Sequence, residues 1–172
     1  MPELRKDPVV GRWVIISTER SRRPGHFTPE PGNGALAFSP FTEGREDMTP
    51  PEVYAVRAGG GARDTPGWSV RVVPNKFPAL EIEGSLDRRG EGLYDKMNGV
   101  GAHEVVIETP DPALQLADLP AEQIRHVLIA WRERMRDLRN DSRLRYALVF
   151  KNHGAGAGAT LEHSHSQIIA TP

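Results

Sequence analysis

One stretch of this sequence, and only one, carries a long helical period. Across residues 119–140 the apolar side chains Ile124, Val127, Leu128, Trp131, Met135 and Leu138 recur every three or four positions. Such a stripe is wide enough to cover one face of a sheet. The Arg-rich remainder reads as a solvated face. Elsewhere turn-formers keep interrupting the chain: 17 Gly and 15 Pro in 172 residues predict many turns and short strands. Strand candidates rich in β-branched and aromatic residues are 12–16, 53–57, 68–73 (ending at Pro74), 104–108, 145–151 and 165–170. Residues 28–51 read as loop, Gly59-Gly60-Gly61 as an exposed turn, and the chain from Glu81 to Gly101, after Asn75-Lys76-Phe77-Pro78-Ala79-Leu80, as a polar, Gly-rich connection. Strands first, one helix late and no βαβ alternation predict an antiparallel α+β domain.

Charge and composition exclude several functions. Twenty-two basic and 23 acidic residues leave a net charge of −1, which gives no electrostatic reason to expect a nucleic-acid or membrane partner. The absence of Cys excludes disulfides, thiolate metal sites and a thiol nucleophile. The charged start, Met1-Pro2-Glu3-Leu4-Arg5-Lys6, has no apolar segment behind it, and a cytoplasmic location is expected.

The chemistry concentrates near the end, in Asn152-His153-Gly154-Ala155-Gly156-Ala157-Gly158-Ala159-Thr160 followed by Leu161-Glu162-His163-Ser164-His165-Ser166-Gln167. Alternate glycines permit positive φ and let backbone N–H groups face an anion. The loop is neither a dinucleotide fingerprint nor a Walker loop: Ala159 takes the third glycine position, an extended segment follows, and no Gly-Lys-Ser/Thr closes it. On a strand, His163, His165 and Gln167 share one face. Such a pair of imidazoles suits either a metal or a phosphorus nucleophile with Gln167 holding a phosphate oxygen. The glycine loop favours phosphorus, because a metal pair would not require it; spacing alone leaves both open. Of the other histidines, His26 and His126 read as surface residues, and His103 as structural at least as readily as functional.

These motifs resemble the N-terminal half of the galactose-1-phosphate uridylyltransferase family, the transferase branch of the histidine-triad superfamily. The resemblance runs through Leu4-Arg5-Lys6-Asp7-Pro8, Gly11-Arg12-Trp13-Val14-Ile15-Ile16, Arg20-Ser21-Arg22-Arg23-Pro24, Thr49-Pro50-Pro51-Glu52-Val53, Val73-Pro74-Asn75-Lys76-Phe77-Pro78-Ala79-Leu80 and residues 152–167. Gln167 stands where a histidine triad proper has a third His. The resemblance implies a histidine-triad-like antiparallel sheet with one long helix packed on it. It also implies that His165 attacks the α-phosphorus of UDP-glucose, holds UMP, and passes it to galactose 1-phosphate. Arg20, Arg23, Asn75, Lys76, Asn152, Gly158, Ala159, Thr160 and Gln167 fall on its nucleotide-contacting positions. ADP-glucose or dinucleoside-polyphosphate phosphorylases of the same lineage offer an alternative reading. An inactive, nucleotide-binding half is another.

Two departures shape the expectations. The family's structural zinc is commonly held by a Cys-x-x-Cys pair, a later His and the first His of the signature. Here those positions are Ser39-Pro40-Phe41-Thr42, Pro112 and His163, so only His163 is retained and no cofactor is expected in this chain. The chain also ends at Pro172, where the family continues into a second, similar half. Residues 1–172 are therefore expected to form a single N-terminal catalytic domain. Its partners would be a nucleotide sugar, a sugar phosphate, and either a second copy or a separate C-terminal half.

Overall fold

The computed structural model describes residues 2–17 and 39–172. Among them lie β1 (Glu3–Lys6), β2 (Trp13–Ile16), β3 (Tyr54–Val56), β4 (Val70–Pro74), β5 (Arg89–Glu91), β6 (Tyr94–Asn98), β7 (Ala102–Ile107), helix α1 (Ala121–Leu138), β8 (Tyr146–Phe150) and β9 (His165–Thr171). The central sheet has the order β3-β4-β7-β9-β8 and a smaller one the order β2-β1-β6-β5. Every strand pairing is antiparallel. This is the α+β architecture the sequence predicts. None of the described helices is long and apolar enough to cross a membrane.

Alternation along the strands sorts the residues of the central sheet. On β9 the buried residues are Ser166, Ile168 and Ala170, which face α1. There Val70, Val72, Val106, Ile168 and Ala170 pack with Val127, Ala130 and Leu138 of the helix. Complete burial of Val106 or Ile168 stabilises the fold by about 1.5–3 kcal/mol each. The opposite face carries His103, Val105 and Ile107 of β7 and His165, Gln167 and Ile169 of β9. Trp68, Val73, Val105 and Ile107 form a second cluster there with Phe41. Leu4, Leu80 and Met97, with Ile169, join the smaller sheet to the central one. Gly101 leads into β7 so close to β9 that a Cβ would come within 2.6 Å of Leu80 Cδ1 and nearer still to the Ala170 carbonyl oxygen.

Three features differ from the sequence expectations. First, the helix is turned. Leu128 and Met135 of the predicted stripe are 51% and 37% exposed, whereas Arg134, assigned to a solvated face, is buried. Its guanidinium bonds both oxygens of buried Glu104 at 2.7 and 2.8 Å, and that pair draws the Arg134 side of the helix onto the sheet. Second, β1, β5 and β6 arise from polar segments with no apolar alternation. The hairpin between β5 and β6 turns on Gly92-Leu93, with Gly92 at φ +61°, a position that suits glycine. Third, His126 is not a free surface residue. The Ser69 hydroxyl lies 3.0 Å from its Nδ1.

Candidate active site

Two histidines of β9 and its approach are held by unlike contacts. His163 is buried. Its Nε2 lies 2.7 Å from the Thr109 carbonyl, which can only accept, so Nε2 carries the proton. Its Nδ1 then accepts from the Ser39 hydroxyl at 2.9 Å. Phe41 stands edge-on to both imidazoles, with centroids 6.0 Å from His163 and 5.5 Å from His165. The 39–42 loop is thus pinned by a hydroxyl and an aromatic ring.

That arrangement does not fit a structural zinc. The relevant positions offer Ser39, Thr42, Pro112, which has no side-chain donor, and an imidazole whose two nitrogens are both engaged. Zinc in such sites wants four thiolate, imidazole or carboxylate ligands. Among the described residues no group of three or more His, Asp or Glu side chains converges on one point.

His165 is half-buried at the start of β9, and its Nδ1 lies 2.8 Å from the His163 carbonyl. Nδ1–H must donate there, which leaves Nε2 with the lone pair. Burial holds the imidazole pKa below its usual value and outweighs the opposing carbonyl bond; Lys151 lowers it further, while Glu108 acts the other way. A neutral ring with a fixed tautomer is what nucleophilic attack needs.

Beneath His165 lies an ion pair, Lys151 with Glu108, whose members both bond the Ser164 hydroxyl. Lys151 Nζ donates to Glu108 Oε2 at 2.6 Å, to Ser164 Oγ at 3.0 Å and to the His165 carbonyl at 3.0 Å. Ser164 Oγ donates to the same Glu108 oxygen at 2.6 Å. The second oxygen of Glu108 has no partner among the described residues.

The structure groups the predicted site residues unevenly. Gln167 sits two residues beyond His165 on the same face, and Asn75 Nδ2 is 3.4 Å from its Oε1. Asn152 is half-buried, Lys76 is exposed, and Thr160 lies exposed on the glycine loop. The loop is folded on itself: the amides of Gly158 and Ala159 bond the carbonyls of Ala155 and Gly154. Those two residues therefore offer a ligand shape rather than free N–H groups. Arg20 and Arg23, with His26, lie outside the described residues. Sequence reasoning passed over Glu108, Lys151 and Ser164, and gave His103 no assigned task. Charged residues at the ends of two otherwise apolar strands were the available signal. A cleft of about 450 Å³ opens beside Asn75 and His103, lined also by Leu80 and Ile82 and, at the end of α1, by Arg134 and Asp137; His165 and Gln167 are not in its lining.

An antiparallel α+β domain with a neutral, tautomer-fixed histidine beside a glycine loop defines a candidate nucleotidyltransferase, and the comparisons with known proteins agree with that class. All of residues 1–172 match the family model described as galactose-1-phosphate uridyl transferase, N-terminal domain. The chain belongs to this family. An ADP-glucose phosphorylase of Arabidopsis thaliana is 40% identical over 176 residues, covering 99% of this chain and 49% of that protein. A galactose-1-phosphate uridylyltransferase of Thermotoga maritima is 27% identical over 173 residues, covering 100% and 47%. The crystal structure of the Arabidopsis ADP-glucose phosphorylase with bound ADP-glucose superposes with a TM-score of 0.67 at 39% identity, covering 100% of this chain and 49% of that one. A uridylyltransferase structure gives 0.69 at 30% identity, covering 99% and 46%. The chain spans about half the length of these relatives.

Proposed function

We propose that the chain carries the nucleotide-transferring site of a sugar-nucleotide enzyme, with His165 as the covalent acceptor. Nε2 attacks the α-phosphorus of a nucleoside diphosphate glucose. The P–O bond to the β-phosphate breaks, glucose 1-phosphate leaves with the bridging oxygen, and the nucleoside monophosphate stays on His165. A second acceptor then takes the nucleotide and frees the ring. Gln167, neutral at every pH, holds a phosphate oxygen as charge builds on it. Asn75 borders the cleft that would take the base and ribose, and Lys76 follows it on the exposed side. The observation that supports this reading is the Nδ1–H bond from His165 to the His163 carbonyl, which leaves the ring's lone pair on Nε2.

Two donors suit this chemistry. Transfer of UMP from UDP-glucose to galactose 1-phosphate is the activity that the family's name implies. Transfer of AMP from ADP-glucose to inorganic phosphate is the reading favoured by 40% identity to a phosphorylase of that donor. We take the adenine donor as the better supported. A cytoplasmic setting fits the cysteine-free composition. Orientation of the second acceptor is assigned to a second half or a second copy, since the relatives are about twice as long.

The test is to incubate the protein with ADP-glucose and, separately, UDP-glucose, each labelled in the α-phosphate. Acid-labile label, faster from ADP-glucose and lost in His165→Gly, is the expected result. Equal labelling of His165→Gly would remove His165 from the reaction, and faster labelling from UDP-glucose would reverse the choice of donor.

A further inference from the structure

A second imidazole faces the same side of the central sheet, and the reading above gives it no task. His103 lies on β7, where Val105 is paired with Gln167 and His103 with Ile169. It is therefore the diagonal neighbour of Gln167, within reach of a long side chain. His103 is 5% exposed, and buried polar atoms in native folds have partners that account for them.

The contacts decide its tautomer. The backbone N–H of Ala79 donates to Nδ1 at 3.0 Å, so Nδ1 bears a lone pair and no proton. The ring's proton then sits on Nε2, which is 2.8 Å from Gln167 Oε1. An amide oxygen can only accept, so this bond has one direction. The Nδ2 of Asn75 lies 3.2 Å from His103 Nε2 and 3.4 Å from Gln167 Oε1; with the ring proton on Nε2, only the oxygen can accept from it. Both neighbours want oxygen at that end of the Gln167 amide.

The consequence falls on the other end. With Oε1 turned toward His103, the NH2 group is what Gln167 offers to the open side of the sheet, and no acceptor among the described residues takes it. A flipped amide would present lone pairs to an anion and repel it. A donor already oriented before the charge develops is worth more than one that must turn.

We propose that His103 is a positioning residue: by donating from Nε2 to Gln167 Oε1, it fixes the Gln167 amide with its NH2 toward the phosphate attacked by His165. This rests on the reading of His165 as nucleotide acceptor.

Two substitutions separate this role from a merely structural one. His103→Gln can place an N–H near the old Nε2 position, keeping the donor to Gln167 while losing the acceptor for Ala79. His103→Asn can do the reverse, placing its oxygen near the old Nδ1 position. The rate of nucleotidyl-His165 formation from α-labelled ADP-glucose and UDP-glucose is measured by rapid quench. His103→Asn is expected to slow it roughly tenfold to a hundredfold, and His103→Gln to slow it less. In a Gln167→Ala background, His103→Asn should add no further loss. Nitrogen NMR of the wild-type ring should show the proton on Nε2. Unlabelled wild-type protein would overturn the transfer reading and this inference with it. A labelled wild type in which His103→Asn is as fast as His103→Gln, or a ring protonated on Nδ1, overturns this inference alone.

Discussion

The Nδ1 of His165 is bound by the carbonyl oxygen of His163, two residues earlier, at 2.8 Å. The proposed nucleophile is thus oriented by its own backbone rather than by a separate carboxylate. That carbonyl is held in place because the His163 ring is locked between Ser39 and Thr109. The aim of Nε2 on one strand therefore depends on a loop more than a hundred residues away in sequence.

The first prediction concerns pH. His165 must be neutral to attack, and burial holds its pKa below the ordinary 6.5. Adduct formation should stay level from pH 8 down to about 6.5 and decline only at lower pH. Lys151 lowers this pKa and Glu108 raises it. Lys151→Met should accordingly move the acid limb to higher pH, and Glu108→Gln should move it to lower pH. Limbs that shift together, or not at all, would disprove the electrostatic assignment.

Folding stability should follow the same histidines. Burial depresses the pKa of both His163 and His165 in the folded chain. Between those folded values and about 6.5, the unfolded chain binds more protons than the native one. Unfolding free energy therefore rises with pH through that window and gains nothing more from these groups above it. Urea melts from pH 5 to 8 would show this. A stability contribution from these rings that grew as pH fell would contradict it.

At the Ser39 loop a hydroxyl and a ring stand where the family resemblance implies metal ligands. We expect less than about a tenth of an equivalent of zinc per chain and no change in Tm with a chelator. Ser39→Ala should instead cost about 1–3 kcal/mol, because it leaves His163 Nδ1 buried without its donor. Near-stoichiometric zinc by elemental analysis, or a silent Ser39→Ala, would refute the substitution of one lock for the other.

Much of this was legible in the sequence, and the reasons differ from one element to the next. β9 was readable because His165 to Ala170 alternates and follows a glycine loop. Helix α1 was readable in length, but its rotation was not. Periodicity weights Leu128 and Met135 as core and Arg134 as solvent, and it cannot register that Glu104 waits on the sheet. The β5–β6 hairpin was hidden because its exposed strands need no apolar pattern. At the site, His163, His165 and Gln167 share a motif and were found together. His103 and Glu108 reach them only through the register of β7 against β9, which no local pattern reveals.

The buried pair of Arg134 and Glu104 supports the last prediction. Arg134 is 7% exposed and Glu104 5%, and two parallel bonds join them, with Asp137 taking a third guanidinium nitrogen at 2.7 Å. Removing one partner strands a charge in the interface between α1 and the sheet. Arg134→Met should therefore cost about 3–5 kcal/mol, more than an exposed pair would. Replacing both, as in Glu104→Leu with Arg134→Leu, removes the desolvation of two ions along with their attraction, and should return most of that loss. The measurement is a urea midpoint at constant m for each variant. Salt should barely shift the wild-type value through this contact, since a buried pair is poorly screened. A single substitution costing under about 1 kcal/mol, or a double variant as unstable as the sum of its singles, would show that the pair neither turns the helix nor holds it there.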